Sequence, residues 1–345
     1  MMKPLGPTLA FLLVAILYAA PAAPPVLAQD QNVWSVKGKL IGEDDKKSED
    51  VSGIACRAST SFPRACLVID DNVQDAQLVT LEDGTIHVGD QINLIDNTYK
   101  KNTKTKKLEL DGEGVAFANG HFYVIGSHGH PRDRRNRLDP MKDREEIAAK
   151  IAASSQVIRI SVPQGATNAS KIKRTAKFKE ILASESTLRP YVDQRLERNG
   201  VTIEGVAIHN GRLYAGFRGP SLNKKEAAVL SVSIGALFAD AAADSKLYRL
   251  PLGEDRGVRD LAVYNNGLLI LAGPIADEAG KYSIYWWGGE SGNVKLLHDL
   301  PNNMSGERKA EALLPVDENA QGLRVLVLFD GEKEGGPRAI TIPKP

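Results

Sequence analysis

The sequence predicts an all-β fold: a β-propeller of five four-stranded blades, closed by an N-terminal strand and carrying small helical insertions. Three observations predict it. Short segments repeat along the chain: Gly112-Glu113-Gly114-Val115-Ala116, Ile203-Glu204-Gly205-Val206-Ala207, Arg259-Asp260-Leu261-Ala262-Val263 and Ala310-Glu311-Ala312-Leu313-Leu314, with Ser52-Gly53-Ile54-Ala55 as a fifth copy that has serine in place of the acid. The pairs Asn119-Gly120, Asn210-Gly211 and Asn266-Gly267 follow, each leading into an apolar run, and Asn-Gly between apolar runs is the strongest short hairpin signal. The last unit runs out of chain one strand short, while Trp34 to Leu40 is a strand-like segment with no unit of its own. Pairing the two closes the ring and removes a sheet edge.

Taken in order, the chain begins with a secretory leader. Lys3 precedes an apolar stretch from Thr8 to Ala20, and Val26-Leu27-Ala28 fits a small-residue cleavage site. Residues 1–28 are read as the leader and 29–345 as a single propeller domain. The apolar stretch is too short for a convincing membrane span, and no later segment approaches that length. The expected location is a bacterial periplasm or the medium beyond it. Cys56 and Cys66 then lie in an oxidising compartment. They flank a turn-like segment, so two antiparallel strands could join them in a disulfide.

The first unit reads as strands at Gly53 to Arg57, Ala65 to Ile69, Ala76 to Leu81 and Ile86 to Ile95. In the second, Arg132 to Ser155 intrudes between the second and third strands, and its part from Arg144 to Ile151 reads as a helix with Ile147 and Ile151 on one face. Another helix is expected over Ser186 to Arg198, before the third unit. The third unit places strands at Val206 to Ile208, Leu213 to Phe217, Ala227 to Ile234 and Lys246 to Leu250. The fourth has Leu261 to Tyr264, Leu268 to Ala272, Tyr282 to Trp287 and Val294 to Leu297. The fifth has Glu311 to Val316, Leu323 to Phe329 and Arg338 to Ile342.

Charge excludes one function class. The chain has 44 Lys+Arg and 43 Asp+Glu, and Lys3 is the only charged residue of the leader. The mature chain is therefore balanced, without the basic excess of a nucleic-acid binder. The partner is expected to be a small molecule or a protein, and the chain is expected to be a monomer.

Strand direction says which residues share a face. The innermost strand of a blade lines the axis and its neighbour runs back, so the start of the first and the end of the second lie at one mouth. That mouth gathers Glu113, Glu204, Asp260, Glu311, Asp70, Asp71, His128, His130, Arg218 and Asp330. Clustered carboxylates repel unless a cation, a proton or an arginine compensates them. Glu113, Glu204, Asp260 and Glu311 are the expected metal ligands. An oxygen-rich set suits Ca²⁺ or Mg²⁺, and histidines admit Mn²⁺ or Zn²⁺. The alternative is structural: each acid accepts backbone N–H groups of the neighbouring blade. Ser127-His128-Gly129-His130 is the most chemically suggestive stretch, with two histidines that share a side if extended. Arg132, Arg134, Arg135 and Arg137 follow, as a solvated charge run or an attractor for an anion.

At Ser52-Gly53-Ile54-Ala55, Asp111 to Ala116, Gly126-Ser127-His128, Ile203 to Ala207, Arg218-Gly219-Pro220 and Arg259 to Ala262, the chain resembles a family of exported bacterial proteins known as domain of unknown function 3616. The resemblance implies a propeller-like fold and no established activity. More distantly, the Glu-Gly-Val-Ala units resemble those of phytase-like esterase propellers and calcium-dependent lactonase propellers, which implies a central metal held by acids and amides from several blades. Two functions follow as expectations. One is a metal-dependent ester or phosphoester hydrolase, in which Arg218 stabilises negative charge and His128 and His130 serve acid–base roles. The other is a non-catalytic binding or protein-interaction module that uses the same mouth or the insertion.

Overall fold

The computed structural model describes residues 1, 32–57, 61–132, 138–166, 168–277, 280–304 and 308–345. The five blades lie within one compact unit, Gln31–Pro345. The leader reading and Arg134, Arg135 and Arg137 fall outside the described residues.

Five antiparallel sheets follow one another along the chain. Blade one contains Val51–Cys56, Arg64–Asp70, Asp75–Glu82 and Thr85–Asn93. Blade two contains Gly112–Ala118, His121–Gly126, Val157–Ser161 and Lys171–Thr175. Blade three contains Thr202–His209, Arg212–Leu222, Glu226–Ser233 and Lys246–Leu250. Blade four contains Arg256–Tyr264, Gly267–Pro274, Ser283–Trp287 and Val294–Asp299. Blade five contains Lys309–Asn319, Gly322–Asp330 and Arg338–Ile342.

The N-terminal segment closes blade five, at a different place from the one expected. Asn32–Val33 pairs antiparallel with Arg338–Ile342 as the fourth strand. Ser35–Lys37 then crosses to blade one and pairs parallel with Thr85–Asn93. Trp34 sits between the two and is buried among apolar residues of blades one and five. One segment thus ties the ring at both sides of its seam.

The apolar core lies between blades. Each of the five buried clusters joins two neighbours, for example Leu67, Ile69, Phe122 and Val124 across blades one and two. The other four span blades two and three, three and four, four and five, and five and one. Closing the ring is what buries the last of these faces, which makes closure a packing event as well as a hydrogen-bonding one.

The repeated glycine has a packing reason. A Cβ on Gly53 would lie 3.0 Å from the Gly114 Cα, one on Gly114 would lie 2.9 Å from the Val206 N, and one on Gly205 would lie 2.8 Å from the Asp260 Cα. The innermost strands approach one another backbone to backbone around the axis, and these positions have no room for a side chain.

The Asn-Gly turns form as read in blades two and three, with Asn119, Gly120, Asn210 and Gly211 all at positive φ. In blade four the turn is one residue earlier, at Asn265 and Asn266, because Tyr264 pairs with Gly267. The Cys56–Cys66 disulfide forms between directly opposed residues of adjacent strands.

The insertion of blade two carries the expected helix, Arg144–Ser154. Lys101, on an extra hairpin of Thr98–Lys101 and Lys104–Lys107, bonds to Asp143 and Glu146 at 3.0 and 2.9 Å. The helix expected over Ser186 to Arg198 lies earlier, at Lys177–Ser184, where Phe178, Ile181 and Leu182 are buried between blades two and three. Only single 3₁₀ turns follow, at Arg189–Tyr191 and Leu196–Arg198. Pro190 lacks the N–H that a continuing helix needs.

Candidate functional site

A β-bulge on every innermost strand builds the site. Pairing with the second strand skips one residue in each blade: Ser52, Glu113, Glu204, Arg259 and Glu311. A bulge re-aims its residue out of the alternating pleat. The register therefore makes Arg259, not Asp260, the counterpart of Glu113. Asp260 occupies the place of the repeated glycine. Its carboxylate accepts the backbone N–H groups of Leu261 and, from blade five, Leu313, each at 2.7 Å. It does not line the mouth among the other acids, and its role in the fold is the blade-to-blade bond of the structural alternative.

The mouth opens on a cavity of about 850 Å³ lined by Glu113, Glu204 and Glu311 together with Asp71, Asp111, Ser127, His130, Arg132, Arg218 and others. Eleven carboxylates and six Lys or Arg side chains line it. Their arrangement is uneven.

On one side, arginines compensate the acids. Arg218, buried and 3 % exposed, gives Nη1 to Glu204 at 3.1 Å, Nη2 to Asp277 at 2.8 Å and Nε to the Ile275 carbonyl at 2.7 Å. Arg259 reaches Glu204 at 3.9 Å and also bonds to Glu311. Arg132 approaches Glu204 at 3.6 Å and Asp277 at 3.4 Å. Burial alone would raise the Glu204 pKa, but Arg259, Arg218 and Arg132 together hold it below the ordinary value. Burial lowers the Arg218 pKa to about 10.

On the other side, Asp71, Asp111 and Glu113 each place one oxygen within 4.8 Å of the others. Asp71 follows the second strand of blade one; Asp111 and Glu113 begin blade two. Asp111 accepts the Ser127 hydroxyl, and the Oδ1 of Asp71 is buried without a partner. Among the described residues, none of the three is in an ion pair. Burial first, and then the neighbouring carboxylates, push all three above the ordinary range, Asp71 and Glu113 furthest. A cation or bound protons would compensate such a group. The all-oxygen donor set fits a hard divalent cation such as Ca²⁺.

The two histidines part company. His128 has φ 53°, its Nδ1 bonds to the Gly126 carbonyl at 2.9 Å, and its ring packs edge-on against Phe178. It is buried, does not line the mouth, and burial pushes its pKa down to about 4. His130 does line the cavity, with Nδ1 3.1 Å from the Pro131 carbonyl. The extended geometry that would set both on one side is broken at His128 by its left-handed backbone. Asp111 and Arg132 were not in the expected ligand or catalytic set. Asp111 directly precedes the repeat motif, and Arg132 opens the arginine run.

The chain belongs to the DUF3616 family. The family, described as "Protein of unknown function", matches residues 65–338. No curated protein sequence matches the chain. Among solved structures it is similar to an exo-β-1,3-galactanase from Phanerochaete chrysosporium at 9% identity and a TM-score of 0.45, covering 90% of this chain and 63% of that one. It is similar to a Bacteroides uniformis protein provisionally assigned as a 6-phosphogluconolactonase at 11% identity and a TM-score of 0.35, covering 76% and 59%. It is also similar to an α-L-arabinofuranosidase from Podospora anserina at 9% identity and a TM-score of 0.45, covering 91% and 98%. The chain thus spans less than two thirds of the first two proteins. None of these likenesses assigns an activity to this DUF3616 protein.

Proposed function

We propose that the axial mouth is a divalent-cation-dependent site that hydrolyses an ester or phosphoester, in a protein exported to a periplasm or beyond. The observation that carries this reading is the trio Asp71, Asp111 and Glu113, left without a cationic partner among the described residues beside acids that arginines compensate. In this reading the trio holds Ca²⁺ or another divalent cation, which would supply Lewis acidity when bound.

The remaining roles fall to the chain's own side chains. Arg218 is locked between Glu204 and Asp277, so it serves as a positioning residue and not as a substrate clamp. Arg132 makes longer contacts to the same two acids and its side chain is 23% exposed. It can turn to a negative charge on a substrate. His130 faces the cavity with Nδ1–H toward the Pro131 carbonyl, which leaves Nε2 as the basic nitrogen for proton transfer. The disulfide is compatible with export, and no described helix is long and apolar enough to cross a membrane.

The test is calorimetric titration of the purified, EDTA-treated protein with Ca²⁺, Mg²⁺, Mn²⁺ and Zn²⁺, followed by p-nitrophenyl ester and phosphate panels. One bound cation, turnover that depends on it, and loss of both in Glu113→Gln support the reading. A well-folded protein that binds none of these cations sinks it. Cation binding without turnover on any of the panels favours the non-catalytic binding module.

A further inference from the structure

The inner strands that begin at the acidic mouth end at a second cavity of about 780 Å³, within the range of small-molecule sites. Its lining begins two residues beyond each bulge, at the opposite end of the axis. Its walls differ from those of the first mouth. Ala55, Ala116, Ala207 and Ala262 stand at one register in four of the five blades, so the repeat keeps this end of the axis hollow with small apolar side chains.

Arg57 and Arg64 are among the residues that line the same cavity, and they turn apart: Arg57 lies over the Phe117 and Phe122 rings of blade two, Arg64 over Phe62. Arg57 donates to the carbonyls of Val162 and Pro163. Arg64 donates to the carbonyls of Pro315 and Val316, is only 4% exposed, and leaves its Nε without a partner. Among the described residues neither arginine has a carboxylate within ion-pair distance. Two acids line the cavity as well and are engaged by other partners, Asp317 by Arg324 and Glu318 by Lys344 at 2.8 Å and by the Tyr264 hydroxyl at 2.9 Å. Burial lowers the Arg64 pKa, and Asp317 opposes that only at a distance.

A hollow apolar wall beside Arg57, a cation without an acidic partner among the described residues, calls for a ligand that is apolar over most of its surface and anionic at one end. We propose that this second cavity binds an amphipathic monocarboxylate, with its carboxylate at Arg57 and its apolar body along the alanine-lined axis. The site is independent of the hydrolytic reading of the first mouth.

Calorimetry of the purified protein with decanoate and with 1-decanol tests it. Decanoate is expected to bind one to one and about tenfold more tightly than 1-decanol, the difference a charge-assisted bond makes. Arg57→Gln is expected to weaken decanoate about tenfold while leaving 1-decanol unchanged. Ala262→Phe, on a half-buried wall position, is expected to block both ligands. Circular dichroism and melting report whether the variants fold, and the comparison of the two ligands on the unaltered protein needs no variant. No decanoate binding, equal affinity for decanoate and 1-decanol, or binding indifferent to Ala262→Phe in a folded protein overturns the proposal.

Discussion

The two sides of the acidic mouth manage their carboxylates by different means. Across blades three to five, Arg259 takes a bulge position between Glu204 and Glu311, and Arg218 reinforces Glu204 from the next strand. Charge there is neutralised within the protein. At blades one and two, serine occupies the bulge of blade one, and Glu113 faces Asp71 and Asp111 instead of an arginine. One structural position, repeated five times, thus does two jobs. Where the ring supplies its own counter-charge, the acid fastens blades together; where it does not, the acid is left without a cationic partner among the described residues.

The comparison can be broken most directly at Arg259. Arg259→Met strands the buried Glu311 carboxylate and takes one of three arginines from Glu204, and removing one partner of a buried charge network costs about 3–5 kcal/mol. A large fall in the urea midpoint is the expected result. An unchanged midpoint would mean that the arginine side is not held by charge.

The next effect is cation stabilisation. At a cation concentration one hundred times its Kd, the wild-type protein should gain about 2.7 kcal/mol. Asp111→Asn and Glu113→Gln should lose this gain, and Glu204→Gln should keep most of it, as read by melting temperature with and without EDTA. The reverse ordering of Glu113→Gln and Glu204→Gln would move the cation to the arginine side.

Gly114→Ala comes third. Its Cβ would press on the Val206 backbone at 2.9 Å, so the strand that carries Glu113 must shift. A loss of about 1–3 kcal/mol is expected, with weaker cation binding alongside. An unaffected cation affinity would show that the trio tolerates movement of its strand.

The smallest effect is on pH. Glu113 has a folded pKa well above its ordinary 4.5. A carboxyl raised in this way stabilises the fold below its unfolded pKa, and that contribution is lost as pH rises through the folded value. Metal-free wild type should therefore lose stability relative to Glu113→Gln as pH rises from about 4.5. His128, pushed down to about 4 from its ordinary 6.5, acts in the opposite sense between those values. Both proteins contain it, so the difference between their urea midpoints isolates Glu113. Parallel curves would mean that Glu113 is not strained in the metal-free protein.

The sequence determined the blades because those depend on local chemistry, whereas closure by an N-terminal segment was legible but its strand, Asn32–Val33, was not. Asn119-Gly120 and Asn210-Gly211 adopt positive φ without strain, apolar runs mark the strands between them, and Cys56 and Cys66 fall opposite one another across a short hairpin. The repeated glycines were visible too, though the backbone approach they permit was not. Other features needed the tertiary structure. A β-bulge leaves no mark in an apolar pattern, so Asp260 resembled Glu113 by position while Arg259 took that place in the register. The left-handed turn at His128 separated it from His130 in the same way. Asp71 and the pair Asp111 and Glu113 lie some forty residues apart and belong to different blades, and only the packing of blade one against blade two sets their oxygens within 4.8 Å. Which acids find an arginine and which do not depends on distances across the axis, and short-range sequence pattern does not encode those.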